Sequence, residues 1–230
     1  MRKPYFDPNK VPAPQERFVA WLNLMGAKNL MASSLKDTST AIFKTHVCVL
    51  DAVRDIAFQD LRVFPVMDGV YITSTKVGDI KVLLASVLRV LSNVFLEDSG
   101  NPHFQFMVKA SVAKGPIYRG EDLLAGSARR LDENPAYRDS LLIGMPVVNA
   151  YLTETAAPPF GVAVHDSAKS DFGLTCSDVW WSWFYRTDFN PQDFYAEMSA
   201  YFSWCRDNHT DYKPDRITVH DSFAKEYFLG

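Results

Sequence analysis

A layered α/β or α+β domain, one sheet with helices packed on it, is the fold class that three stretches of this sequence predict. Residues 104–113 alternate, with Phe104, Phe106, Val108, Ala110 and Val112 on one side and Gln105, Lys109 and Ser111 on the other. That two-residue period belongs to a strand with one apolar face, and it leaves Lys109 on the polar face of a sheet. Residues 77–96 place Ile80, Leu83, Leu84, Val87, Leu88, Leu91, Val94 and Phe95 on a single helical stripe. Between Arg62 and Thr73 an apolar run of strand character carries one acid, Asp68.

The remaining elements follow in order. Pro4, Pro8, Pro12 and Pro14 make residues 1–16 an extended arm, and a single domain is expected over 17–230. Residues 18–25 read as a buried strand closed by Gly26. After a polar segment, Asp37, Thr38 or Ser39 can cap a helix to about Phe58, with Ile42, His46, Val47, Leu50, Val53 and Ile56 on one face. Residues 120–140 are charged and irregular and read as a surface connection. Gly144 and Pro146 open a helix to about Thr155, and strands are expected at 160–164 and 179–185. A helix over 191–205 buries Phe194, Met198, Tyr201, Phe202 and Cys205, before a last segment with Arg216, His220 and Asp221.

Composition narrows the function classes. A chain of 230 residues that is 47% hydrophobic and 13% aromatic can bury a large core. Its formal charge of -3 supplies no general drive toward a nucleic acid polymer, and no apolar run reaches the roughly 20 residues of a membrane helix. Cys48, Cys176 and Cys205 are odd in number and far apart, as in reduced thiols, and the N-terminus lacks the apolar stretch of a signal peptide. A cytoplasmic setting is therefore expected.

Asp68 is the leading candidate site. On an unbroken strand it would share a face with Phe64, Val66, Val70 and Ile72, where a carboxylate needs a cation, a metal or strong donors. The bland alternative is a strand end at Gly69 with Asp68 in solvent. Asn23 would lie beside Asp68 if their strands are neighbours. The histidines form no triad by spacing, with His165 and His220 read as loop or cap residues, and Arg129 and Arg130 read as solvated surface. Trp180, Trp181, Trp183, Phe184 and Tyr185 are expected to bury against helices or at a subunit interface.

Four blocks, Trp21-Leu-Asn-Leu-Met-Gly-Ala27, Phe64-Pro-Val-Met-Asp-Gly-Val70, Val108-Lys-Ala-Ser-Val-Ala-Lys-Gly-Pro-Ile-Tyr118 and Gly144-Met-Pro-Val-Val-Asn-Ala-Tyr-Leu-Thr-Glu154, together resemble the class III nucleotidyl cyclase catalytic domain. The resemblance is nearest to the small bacterial pyrimidine cyclases of anti-phage signalling. It implies a ferredoxin-like α+β fold with a mostly antiparallel sheet, and a homodimer whose two chains complete each site. It also implies conversion of UTP or CTP to cyclic UMP or cyclic CMP as an antiviral second messenger, with two Mn2+ or Mg2+ ions per site. Asp68 and Asn23 fall on the two metal-binding positions, Gly26 and Lys109 on phosphate-binding ones, and Phe64 on the position that selects the base.

The sequence departs from the family where a metal aspartate is replaced by Asn23. An inactive cyclase-like module that binds nucleotide or a partner chain, a site using another acid, and an inactivating substitution all accommodate that. Val148 and Leu152 replace the asparagine and arginine of purine cyclases. A generic ferredoxin-like sheet on an unrelated enzyme is the remaining alternative.

Overall fold

The computed structural model describes residues 6–56, 58–185, 188–208, 210 and 212–230. The expected arm falls partly outside these residues. Its described part carries a 3-10 turn, Pro8–Lys10, and is tied down where the Asp7 amide donates to the Ser127 carbonyl at 2.7 Å. Strand β1, Gln15–Leu24, starts two residues before Arg17. Helix α1, Ala27–Ser33, occupies much of the polar segment after it. Helix α2, Leu35–Asp55, is capped by Ser34, whose hydroxyl accepts from the Asp37 amide, so the helix starts before the expected caps and ends before Phe58.

The buried face of α2 differs from the expected one. Thr38, Ala41, Thr45, Val49 and Ala52 are buried, while Val47 and Leu50 are exposed. Small side chains let α2 lie close to its neighbours, and this packing overrides the bulkier stripe.

Strands β2, Arg62–Val66, and β3, Gly69–Ser74, form a hairpin whose tip is Met67 and Asp68. Asp68 is thus a turn residue and not a member of an unbroken strand. The turn also separates the faces: Val70 and Ile72 enter the main core, whereas Phe64 pairs with Tyr71 on the opposite side. A glycine at 69 is required by contact, because a Cβ there would lie 2.3 Å from the Trp21 ring.

Helix α3, Val77–Glu97, buries the expected stripe, with Val94 as a half-buried flank. Strand β4, Val108–Arg119, begins later and runs further than expected. Helices α4, Arg129–Asp132, and α5, Pro135–Asp139, and strand β5, Leu142–Ile143, occupy the charged connection and its end. Helix α6 is Met145–Thr153, continued by a 3-10 turn, Glu154–Ala156. Strand β6, Val162–Val164, helix α7, Lys169–Phe172, and a short β7, Trp180–Trp181, follow. Trp183 and Phe184 leave the expected strand and are buried, Trp183 donating to the Phe160 carbonyl and Phe184 packing on Tyr227 and Phe228.

Helix α8, Pro191–Asp207, matches its expected buried face apart from half-buried Tyr201. Helix α9, Pro214–Leu229, replaces the expected loop and places His220 on a helix. Its apolar residues are concentrated in the second half, with Ala224, Tyr227 and Phe228 buried beyond Ile217, so the polar first turns conceal the helix in the sequence.

The seven-stranded sheet runs β2-β3-β1-β4-β6-β7, with β5 attached to β4. Every pairing is antiparallel except β4 with β6. It is an open α+β sheet covered by helices. One face carries Phe18, Ala20, Leu22 and Leu24 into the main core, and the other packs Val19, Trp21, Ala113 and Ile117 with Ala150 of α6.

Candidate functional site

The register assembles a polar cluster at the end of β1. Asn23 pairs with Gly69 on one side and Lys109 on the other, and the Leu24 amide donates to the Asp68 carbonyl at 3.2 Å. The neighbouring strands predicted for Asn23 and Asp68 therefore meet at this end. Asn23 follows Val19 and Trp21 by the strand period, which puts it on the face covered by α6. Lys109 is opposite it and is buried, so the expected polar face is sheltered. Ser111, two residues on, donates to the Ala150 carbonyl of α6 at 2.5 Å.

Glu154, at the end of α6, joins this cluster. Burial pushes its carboxyl above the ordinary carboxylate range, opposed by the Lys109 ammonium and a side-chain hydrogen bond from Asn23, while Asp68 pushes it further up. That bond favours the ionised carboxylate, so Asn23 donates through its NH2. Burial also pulls the Lys109 ammonium down, with Glu154 opposing and Arg216 adding to the shift.

The first turns of α9 close the cluster. His220 Nε2 lies 3.0 Å from Lys109 Nζ, and His220 Nδ1 contacts the Tyr212 hydroxyl. Burial first, then Lys109 and Arg216, pull His220 down to about 3. Sequence reasoning missed Tyr212, His220 and the association of Glu154 with Asn23. The Lys109 and His220 contact spans 111 residues and has no local signal, whereas Pro214 was a readable helix start.

The other predicted positions fall nearby. Gly26, two residues beyond β1, caps the start of α1 at φ 73, a conformation natural to glycine. Phe64 is buried in the cross-strand row Trp21, Tyr71, Phe64, two residues along the strands from the row of Asn23 and Gly69. Val148 and Leu152 lie exposed on α6. Among the described residues, no group of three or more His, Cys, Asp or Glu is placed to hold a metal. Asp68 and Asn23 meet at this end of the sheet and carry the kind of oxygen donors that suit a hard divalent ion completed by phosphate oxygens. Of the two expected ligands Asp68 alone is a carboxylate, less charge than a pair of divalent ions calls for.

Arg129 and Arg130 pair with Glu133 at the surface, and His165 is a cap that accepts from the Ser167 amide. Two surface concavities, of about 60 and 430 Å3, lie away from the cluster.

Nucleotidyl cyclase catalytic domains share this fold. The chain is similar to a bacterial light-regulated adenylyl cyclase at 15% identity and TM-score 0.54, over 76% of this chain and 49% of that one. It is similar to the guanylyl cyclase domain of the RhoGC fusion protein from the aquatic fungus Blastocladiella emersonii at 9% identity and TM-score 0.53, over 71% and 86%. It is also similar to the guanylate cyclase domain of RhGC from Catenaria anguillulae, in complex with GTP, at 12% identity and TM-score 0.51, over 69% and 82%. The chain spans about half the length of the light-regulated cyclase. No family model matches the sequence, and no curated protein matches it. Among the described residues no helix is long and apolar enough to cross a membrane.

Proposed function

We propose that this protein is a nucleotidyl cyclase acting on a pyrimidine nucleoside triphosphate, UTP or CTP, and that its product is a cyclic UMP or cyclic CMP antiviral signal. The observation that carries the cyclase reading is the meeting of Asn23, Asp68, Lys109 and Glu154 at one end of a cyclase-type sheet. Attack of the ribose 3′-oxygen on the α-phosphorus expels pyrophosphate, so the site needs positive charge at the phosphates. Lys109 supplies a cation for the triphosphate. Asp68 and the Asn23 oxygen would hold one Mn2+ or Mg2+, which polarises phosphoryl oxygens and acidifies the attacking hydroxyl when bound. Phe64 favours a smaller base by filling space beside the row that bears Asn23. Gly26 lets the backbone approach a phosphate.

A homodimer fits the same surface. Val66, Met67, Ile143, Met145, Val148 and Leu152, on the hairpin, β5 and α6, are exposed apolar side chains that a second copy would cover.

Incubation with each of the four triphosphates and Mn2+, followed by chromatography, tests the reading. A cyclic pyrimidine product is expected; its absence from both the protein and its Asn23→Asp variant overturns it. Asn23 itself favours a second reading, an inactive nucleotide-binding or dimerisation module. That reading predicts binding or dimerisation that survives Asp68→Ala, with Asn23→Asp still inactive.

A further inference from the structure

Lys109 differs from the other buried cations. Arg17 is held by Asp122 at 2.7 Å and Arg119 by Asp60 at 2.9 Å, each a full carboxylate charge. The hydrogen-bond partner of the Lys109 ammonium is an imidazole. An ammonium only donates, so His220 Nε2 must accept, and the ring proton is then on Nδ1, facing the Tyr212 hydroxyl. Burial pushes that hydroxyl up as well, so the dyad is neutral at both members. Glu154 also lies near Lys109 and opposes the effect of burial on the ammonium, but the hydrogen bond that sets the ammonium's direction is the one it donates to His220.

We propose that His220, supported by Tyr212, is a positioning residue that fixes the direction of the Lys109 ammonium toward the phosphates of a nucleoside triphosphate without cancelling its charge. An aspartate in its place would orient Lys109 equally well but would neutralise it and repel the ligand. A neutral acceptor takes one N–H and leaves two for phosphate oxygens. The helix α9 thereby contributes to the site from the same chain. The inference rests on the reading of Lys109 as the triphosphate cation.

Inorganic tripolyphosphate, titrated calorimetrically into the full chain without divalent ions, isolates this contact from both metal binding and turnover. Lys109→Met is expected to weaken binding about 30-fold and His220→Phe about 10-fold, the scale of a charge-assisted hydrogen bond. His220→Gln keeps an acceptor and should recover to within about 3-fold of the original. Tyr212→Phe, which removes only a hydroxyl, should lie between. Thermal unfolding of every variant confirms that it is folded.

Unchanged affinity in folded His220→Phe or Tyr212→Phe, or a His220→Gln protein as weak as His220→Phe, overturns the proposal. So does a protein that binds no tripolyphosphate. The expected binding pattern without any cyclic product defeats the cyclase reading alone, and cyclic product with unmoved affinities defeats this inference alone.

Discussion

The same three central strands bury cations at both ends and compensate them in opposite ways. At the end near Arg17 and Arg119, Asp122 takes both Arg17 Nη atoms at 2.7 and 3.0 Å and the Arg119 amide at 2.8 Å. Arg119 adds Asp60 and Thr73, with its Nε donating to the Thr73 hydroxyl at 2.9 Å. At the end near Asn23, Lys109 faces a neutral imidazole, Asn23 carries an amide, and burial raises the Glu154 carboxyl while the Lys109 ammonium opposes it. Carboxylate pairing holds the first end, although the buried Arg17 Nε lacks a partner. The second holds its buried ammonium by a neutral acceptor, with the Glu154 carboxyl nearby.

Arg119→Met should produce the largest effect, because it takes the guanidinium from Asp60 Oδ1 and from the Thr73 hydroxyl and carbonyl. Breaking a buried pair in this way costs about 3–5 kcal/mol, readable by chemical denaturation. Lys109→Met should leave stability within about 1 kcal/mol or raise it, since removing a buried cation relieves desolvation. A loss as large as that of Arg119→Met would erase the contrast between the ends.

Asn23→Asp brings a charge beside Asp68 and Glu154 and should destabilise the metal-free protein by about 1–2 kcal/mol. Mn2+ should reverse that loss, adding about 2.7 kcal/mol at a hundredfold excess over its dissociation constant. Equal Mn2+ shifts in melting temperature for the variant and the parent would refute the single-carboxylate assignment.

Acid should separate the ends by pH. His220 is pulled from 6.5 to about 3 in the fold, so its contribution is present above pH 6.5 and is lost as pH falls toward 3. Asp60 and Asp122 lie below their ordinary 3.8, through Thr75 and Arg119 for Asp60 and Arg17 and Arg119 for Asp122, against the opposing effect of burial. Their contribution is present above pH 3.8 and is lost below it. Melting temperature should therefore decline from pH 6.5 through the His220 range first, and His220→Gln should remove that early part alone.

The sequence made the α3 stripe legible because eight apolar side chains repeat on one helical face. The hairpin tip was hidden by chemistry. Met67, at φ 51, takes the left-handed position that Gly or Asn usually signals, while Gly69 is reserved for contact with Trp21. Asn23, Asp68 and Lys109 could be proposed as a site from their blocks, and the register brings them together. Their compensation could not be read, because Glu154 and His220 reach Lys109 only after α6 and α9 pack against distant strands. The exposed Val47 and Leu50 show the same limit, since apolar spacing alone does not say which neighbour a helix will approach.

The most direct test of the cyclase assignment is product analysis with ATP, GTP, CTP and UTP in Mn2+, on the protein and on Asn23→Asp. The account predicts cyclic UMP or cyclic CMP with pyrophosphate, in greater amount from the variant. No cyclic nucleotide from either protein would contradict it.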